Sequence, residues 1–494
     1  MCHNLASGTE HTLALHAGRF TQADAAKQLF NAAARGGLLR SLLVEHESLT
    51  GKQHQQQSYD ALTTMLGQLS SLTEVELSGV PQCHLAHVMA ACVGSPLKSL
   101  RVSALASDDK GPPHQLMAAQ IVEALRDQPL LQELAIDIQR QDCHTLGWLR
   151  VASTMPALTR LQVGGVVLER GAGAVLGSML AACGPRLEHL TLSGTQLAAA
   201  ELGLVLKELH NCIALEKLEL IDAGDTAGCP VLSDALEALP QKLRTLRLVG
   251  LAVVGRQLEV AVGALDSAAA DCLLDLSCNR LRGAGMRHLG AALAAHAGTL
   301  ALVARNNMLD ASSVAALCQE LGNSGVLASL DLSDNALGVP GAAALVEWAA
   351  GNTNPVSLLL RNAELGESGA EAIASCCNRP ASVGTLRLDL SGNRIGARGC
   401  AAAGASEASV LVLEACAITD NEAAELIDSL EARQGVLLEQ LDLSCNPIGA
   451  TTVKRLIVLV QDMKAAGNVA PKFILHDTRC SDLQIEQLMI ETKD

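Results

Sequence analysis

One string of residues recurs along the chain at a nearly constant spacing, and this repetition limits the possible folds more than any other feature. The string is L-x-x-L-x-L-x-x-N-x-L, followed by a short turn that contains glycine and by a stretch rich in Ala and Leu. It reads LASLDLSDNALGVPGAAALVEWA over 327–349 and LEQLDLSCNPIGATTVKRLIVLV over 438–460. A period of about 20 to 50 residues indicates units that bury their apolar sides only by stacking on one another.

The first position of L-x-x-L-x-L sets the phase of the repeat. Every step between 187 and 355 is 28 residues, and so regular a spacing does not arise by chance in a Leu-rich chain. We therefore predict a single array over residues 1–494, with capping units at 1–38 and 470–494 and no second domain. Its 17 units start at residues 10, 39, 72, 97, 131, 158, 187, 215, 243, 271, 299, 327, 355, 385, 408, 438 and 470.

The columns of the repeat predict a strand and then a helix in every unit. Alternate side chains of a strand point the same way, so pairs such as Leu330 and Leu332, or Leu441 and Leu443, point into the core together. The stretch rich in Ala and Leu that follows, for example 342–350, is expected to return the chain to the next strand as a helix.

This pattern resembles the leucine-rich-repeat family, and the long helical part of each unit resembles the ribonuclease-inhibitor-like subclass. The resemblance covers nearly the whole chain and implies an α/β fold. That fold is a right-handed solenoid, or horseshoe, with a parallel sheet on its concave face and helices on its convex face. The Asn eight residues into a unit resembles the family's ladder Asn, whose amide would satisfy backbone groups in the turn. It stands at Asn279, Asn307, Asn335, Asn393 and Asn446, Cys416 replaces it in the unit at 408, and the units from 72 to 243 lack it.

Composition narrows the class of partner and the compartment. The net charge of −16 argues against nucleic acid, because binding phosphates requires a basic surface. No run approaches 18 apolar residues and the start lacks a basic segment followed by an apolar one, so we expect no membrane insertion and no secretion. The 16 cysteines are scattered without a C-x-x-C motif, which favours reduced thiols inside the cell.

Three groups of residues suggest chemistry at first sight, and each has a simpler explanation. The glycine-rich stretches at 171–177 and 282–290 share the phase of the other repeat turns, so we do not expect them to bind a nucleotide. Cys83, His84, His87 and Cys92 lack the spacing of a tetrahedral zinc site. A catalytic thiol would need a histidine placed to lower its pKa, and no family signature of a catalytic cysteine accompanies any cysteine of this chain. We therefore expect no catalytic residue, no metal and no cofactor.

Charged side chains at the second, fourth and sixth positions after a unit start are the candidate partner-binding residues. In the first half of the chain these positions hold residues such as Glu133, Asp137 and Arg160. In the second half, Asp275, Asp331, Asp389 and Asp442 occupy the same position of their units and form an acidic stripe, which Val303 and Leu359 interrupt. A solvated face explains such charges equally well, although the concave faces of solenoids commonly bind other molecules. The predicted partner-binding residues are Asp275, Arg305, Asp331, Arg361, Asp389, Glu414 and Asp442.

The function that these features favour is a non-catalytic protein–protein interaction scaffold. We expect a structural or regulatory subunit of a large complex in the cytoplasm, cytoskeleton or cilium, because the family resemblance includes dynein-regulatory-complex subunits and tropomodulin-like proteins. Two alternatives stay open: a regulator of a small GTPase similar to Ran GTPase-activating proteins, and an inhibitor or sensor of the ribonuclease-inhibitor type. Aromatic side chains, which usually anchor a very tight inhibitor, number only six in the whole chain.

Overall fold

The computed structural model confirms the repeat phase along the chain. It describes residues 12–16, 40–45, 63, 72–81, 91, 95–105, 122, 125–126, 128–138, 146–165, 171–224, 230–351, 356–377, 386–433 and 438–492. Within these ranges there are 17 strands, and each begins within two residues of a predicted unit start. The chain divides into two compact parts, the N-terminal half (Met1–Leu243) and the C-terminal half (Arg244–Asp494).

The N-terminal half contains eight parallel strands that pair in sequence order. Its register places the inward leucines of successive repeats side by side, so that Leu134 pairs with Leu161 and Leu161 with Leu190. The strands are β1 (Thr12–His16), β2 (Ser41–Glu45), β3 (Glu74–Pro81), β4 (Ser99–Leu105), β5 (Glu133–Ile138), β6 (Arg160–Gly164), β7 (His189–Ser193) and β8 (Lys217–Ile221). The helices in its described residues are α1 (Leu146–Thr154), α2 (Ala172–Cys183), α3 (Ala199–Lys207) and α4 (Pro230–Glu237).

The C-terminal half repeats the same arrangement with shorter strands and longer helices. Its strands, again parallel and paired in sequence order, are β9 (Thr245–Val249), β10 (Cys272–Asp275), β11 (Leu300–Val303), β12 (Leu327–Asp331), β13 (Ser357–Leu359), β14 (Arg387–Asp389), β15 (Val410–Val412), β16 (Gln440–Asp442) and β17 (Lys472–Ile474). Its helices are α5 (Arg256–Gly263), α6 (Arg282–Ala294), α7 (Ala311–Leu321), α8 (Gly338–Gly351), α9 (Gly366–Cys376), α10 (Gly396–Ala405), α11 (Asp420–Glu431), α12 (Ala450–Ala465) and α13 (Asp482–Glu491).

Columns of leucine form the core between the strands and the helices. The predicted inward pairs Leu330 with Leu332 and Leu441 with Leu443 are completely buried. The helices add a second layer, in which Leu345 of α8 and Leu426 of α11 are also completely buried. One repeat exposes these columns on both sides, and the next repeat covers them. The predicted α/β solenoid fold is therefore confirmed in each half.

Asparagine side chains join neighbouring repeats at the turn that ends each strand of the C-terminal half. Asn335 Oδ1 accepts hydrogen bonds from the backbone N–H groups of Asn307 and Leu309, at 2.8 and 3.0 Å. Its Nδ2 donates to the carbonyl oxygens of Ala304 and Leu332, at 3.0 and 2.9 Å. One buried amide thus satisfies backbone groups of its own turn and of the turn before it. Equivalent bonds surround Asn279, Asn307, Asn393 and Asn446.

Where another residue occupies the position of the ladder asparagine, different contacts replace the asparagine bonds. The Cys416 thiol donates to the carbonyl oxygen of Leu390 at 3.2 Å, which replaces one of the bonds that an amide would make. Thr195 Oγ1 donates to the carbonyl oxygen of Ala223 at 3.0 Å. Ala223 itself is completely buried in the column. The ladder predicted for the later repeats is therefore confirmed, and the earlier repeats pack without it.

The predicted ends of the array lie partly outside the described residues. Of the predicted capping unit at 1–38 the structure describes only residues 12–16, which form β1. At the other end, β17 and α13 lie within the predicted capping unit at 470–494.

The ladder leads to a prediction about stability. Asn335→Ala leaves four buried backbone groups without their partner, and each such group costs about 1–3 kcal/mol. We expect a loss of about 3 kcal/mol or more in the free energy of unfolding, measured by urea denaturation. Asn323→Ala is the control, because the Asn323 side chain is exposed at the end of α7, and it should change this free energy by less than about 0.5 kcal/mol. A similar loss in both variants would contradict the role of the ladder.

Candidate interaction surfaces

In each half, the side chains that alternate with the buried leucines form a polar surface, which we term the strand face. On β6, Arg160 and Gln162 are exposed while Leu161 and Val163 are buried. Parallel pairing aligns such residues in rows that run across the strands. The strand faces are where the structure places the charged residues predicted to contact a partner.

The strand face of the N-terminal half forms a cavity of about 490 Å³ across β3 to β8. Its first row contains Glu133, Arg160, His189 and Lys217 on successive strands. The second row runs parallel to the first, two residues further along each strand. It contains Glu76, Arg101, Ala135, Gln162, Thr191 and Glu219.

Ion pairs link most charges of this cavity. Arg101 Nη2 lies 2.7 Å from Glu133 Oε1, and Arg101 Nη1 lies 3.8 Å from Glu76 Oε2. On the other side of Glu133, its Oε2 lies 3.6 Å from Arg160 Nη1. Because half of the arginine surface is exposed, each pair is expected to contribute less than about 1 kcal/mol to stability. Their main effect is to hold the charged groups in a fixed order.

The far side of the cavity combines a buried carboxylate with a histidine of weakened basicity. Glu219 is only 7% exposed, accepts a hydrogen bond from Thr191 Oγ1 at 2.7 Å and pairs with Lys217 at 3.2 Å. Burial, and then the charges of Arg160 and Lys217, lower the pKa of His189. His189, Gln162 and Thr191 were not singled out by the sequence, although they occupy the same strand positions as the predicted charges.

The aspartates of the acidic stripe in the C-terminal half bond to the backbone, and two of them are buried, which the sequence did not suggest. Pairing places each aspartate beside an aliphatic residue, so that Asp331 lies between Val303 and Leu359. Asp331 and Asp389 are only 7% and 8% exposed, not solvated as the consensus implied. Each aspartate of the stripe accepts, through Oδ1, the backbone N–H of the serine two residues later: Asp275 from Ser277, Asp331 from Ser333, Asp389 from Ser391, and Asp442 from Ser444. They cap the ends of their strands.

The other predicted residues project further from this strand face. Arg361 Nη1 lies 2.7 Å from Glu414 Oε2, so the structure brings together two predicted residues that are separated by a whole repeat. Arg305 pairs instead with Asp334, at 3.0 Å, which the sequence did not single out. The arginines are 46% and 38% exposed, against 28% for Glu414. These three side chains are therefore more accessible to a partner than Asp331 and Asp389.

The glycine-rich stretch at 171–177 has a structural explanation. Gly171 precedes α2 with φ of 92°, and the carboxylate of Glu201 accepts the N–H groups of Gly171 and Gly173 at 3.0 and 2.8 Å. A Cβ atom at Gly173 would overlap the carbonyl oxygen of Glu201 in the next repeat. The helix N-terminus, where a phosphate would bind, is thus occupied by a side chain of the protein. The second stretch, 282–290, lies within α6.

The cysteines and the possible metal ligands add no further site in the described part of the chain. The 11 cysteines found there are free thiols, and burial raises the pKa of Cys212, Cys318 and Cys416 to about 12. The described part of the chain contains no cluster of three or more side chains suited to a metal ion. The Cys83 and His84 group lies outside the described ranges. No helix within them is both long enough and apolar enough to cross a bilayer.

The capping role of the stripe gives a prediction for Asp331. Burial raises its pKa above the ordinary 3.8, so the folded state binds the proton more tightly and the ionised carboxylate lowers stability as pH rises above that value. Asp331→Asn keeps the acceptor for Ser333 and removes the buried charge. We expect its free energy of unfolding at pH 7 to equal or exceed that of the wild type, with the difference shrinking towards pH 3.8.

Asp331→Ala is the matched comparison, because it also removes the charge but leaves the buried N–H of Ser333 without an acceptor. This variant should lose about 1–3 kcal/mol at pH 7 in urea denaturation. If the Asn variant lost as much as the Ala variant, the negative charge rather than the acceptor would hold the turn, and the capping role would be refuted.

Three comparisons with known proteins find similarities to this chain. Residues 323–346 and 385–402 match the family model described as Leucine Rich repeat. The ribonuclease inhibitor of Sus scrofa is 29% identical over 309 residues, which are 59% of this chain and 64% of that relative's length. The crystal structure of a TLR13–ssRNA13 complex aligns with 86% of this chain and 62% of its own, at 15% identity and a TM-score of 0.41. The family model and the porcine relative support a leucine-rich-repeat protein whose repeats are similar to those of the ribonuclease inhibitor.

Proposed function

We propose that this protein is a non-catalytic scaffold that binds other proteins through its strand faces. The observation that carries the proposal is the regular arrangement of charged side chains on both strand faces. The backbone groups of the turns after these strands are hydrogen-bonded within the protein. Arg305, Arg361 and Glu414 need little rearrangement to meet a partner, because their positions are already fixed by ion pairs. Preorganised charged groups increase the rate and the specificity of association more than its strength.

The predicted site of the C-terminal half then divides into two roles. The exposed residues Arg305, Arg361 and Glu414 contact the partner. The four aspartates, Asp275, Asp331, Asp389 and Asp442, fix the turns of the repeats that alternate with those of the three side chains, and they add a negative field.

We also propose that the protein is a subunit of a larger intracellular assembly, either cytoskeletal or axonemal. The helices support this proposal through small residues on their outer side, for example Ala397 and Ala405 of α10, which are exposed and would allow another element to pack closely against the helix. A subunit held permanently in an assembly would use this helix layer together with a strand face. In this proposal the 17 repeats act as one array, as the unbroken phase predicts.

Fractionation tests the proposal and separates the two surfaces. Arg305→Gln, Arg361→Gln and Glu414→Gln together remove the exposed charges of the C-terminal strand face. The matched control, Arg398→Gln, Arg455→Gln and Glu371→Gln, makes the same charge change at exposed ion pairs of the helix layer. In cells expressing each tagged protein, we expect the wild type and the control in the detergent-insoluble cytoskeleton. The strand-face variant should be depleted from it at least about fivefold.

Two other results would count against parts of this account. Depletion of the helix-layer variant alone would place the interface on the helices. A wild-type protein found wholly in the detergent-extracted supernatant would refute the cytoskeletal and axonemal assignment.

A second candidate, an inhibitor of the ribonuclease-inhibitor type, is favoured by the 29% identity to the porcine ribonuclease inhibitor. The acidic balance of the chain would suit a basic client. This candidate is separated from the first by titrating the purified protein against a pancreatic-type ribonuclease. Loss of ribonuclease activity at stoichiometric protein would favour the inhibitor.

A further inference from the structure

The cavity on the strand face of the N-terminal half contains one carboxylate that differs from the others. Glu76 and Glu133 pair with Arg101, and Glu219 pairs with Lys217. Asp137 lines the same cavity, yet it has neither an ion pair nor a hydrogen bond within the described part of the chain. It is also half-buried, and this burial raises the pKa of its carboxyl group.

The space around Asp137 is left open by small neighbours. The register places Ser103 on one side of Asp137 and Gly164 on the other. A Cβ atom at Gly164 would lie 3.1 Å from Asp137 Cγ and 2.7 Å from Ser193 Oγ, so the carboxyl group lies over the bare backbone of the glycine. Asp137 lines the cavity, and neither of its strand neighbours, Ser103 or Gly164, has a side chain long enough to cover the carboxylate.

The length of the cavity fits an extended polypeptide. Its volume of about 490 Å³ would also suit a small molecule, because small-molecule sites measure about 300–1,000 Å³, so the length rather than the volume favours the peptide. The lining extends from β3 to β8, which is about 24 Å across six strands and equals about seven residues of extended chain. Along that length the paired charges of Arg101, Arg160 and Lys217 offer further contacts to peptide groups.

We propose that the strand face of the N-terminal half binds an extended segment of a partner protein, with an arginine or lysine side chain of that segment paired to Asp137 between Ser103 and Gly164. Charge complementarity carries this assignment, because Asp137 is a half-buried carboxylate that lines the cavity and has no cationic partner among the described residues. The site lies entirely within the N-terminal half. It is therefore independent of Arg305, Arg361 and Glu414, and their replacement leaves it unchanged.

The test selects peptides from a phage-displayed library of random 12-residue sequences on the immobilised full-length protein. Enriched peptides are synthesised, and their affinities are measured by fluorescence anisotropy against the wild type and two variants. Asp137→Asn removes the charge at the site. Asp222→Asn is the matched control, because Asp222 is exposed in the same half, does not line the cavity and has φ of 46°, which Asn also adopts readily.

The proposal predicts enriched peptides with a shared arginine or lysine. Asp137→Asn should weaken their binding at least about tenfold, as expected for the loss of a charged hydrogen bond, while Asp222→Asn should leave it within about twofold. Replacing the shared basic residue of the peptide by glutamine should weaken binding to the wild type by a similar factor. The same replacement should have little further effect on binding to the Asp137→Asn variant. This lack of additivity identifies the two groups as partners.

A second variant guards against an effect of Asp137→Asn on folding. Ser103→Lys places a cation on the neighbouring strand position, where it pairs with Asp137 inside the protein and should abolish peptide binding without loss of unfolding free energy. Three results would overturn the proposal: no enrichment of peptides, enriched peptides without a shared basic residue, or unchanged affinity in Asp137→Asn.

Discussion

The whole structure depends on giving hydrogen-bond partners to the backbone at the turn that ends each strand. In the C-terminal half these groups lie in the core, where an unpaired N–H or carbonyl costs about 1–3 kcal/mol. The asparagine of one repeat supplies partners for its own turn and for the turn of the preceding repeat, as Asn335 does for Leu309. Neighbouring repeats are therefore locked in register, and the strands can be as short as three residues.

That fixed register decides which side chains face a partner. Strand positions occupied by leucine face the core, and the positions between them form the strand faces. Within a strand face the turn makes a further distinction. An aspartate two residues before a turn serine, such as Asp389, becomes a cap and is largely buried. Arg361 stands where other repeats have the turn serine, projects outward and pairs with Glu414, which is separated from it by a whole repeat. Charge of similar appearance in the sequence thus has two different physical roles.

The sequence predicted the features that depend on periodicity alone, namely the starts of the strands, the buried leucine pairs and the asparagine ladder. It could not predict features that depend on contacts between repeats. Asp331 is buried between Val303 and Leu359 of the neighbouring repeats, and Arg305 pairs with Asp334 of the next repeat, where the backbone turns with φ of 60°. The isolation of Asp137 depends on a glycine in the next strand, which only the register brings beside it.

Hydrogen exchange at the turn amides tests the central claim most directly, because it reports on the ladder bonds themselves. The backbone N–H groups of Leu309, Leu365 and Ile418 are bonded to an asparagine side chain of the following repeat rather than to a strand. If the ladder locks the repeats, these amides exchange as slowly as the strand amides of Leu330 and Leu411. Exchange at the rate of an exposed turn, with the strand amides still protected, would contradict it.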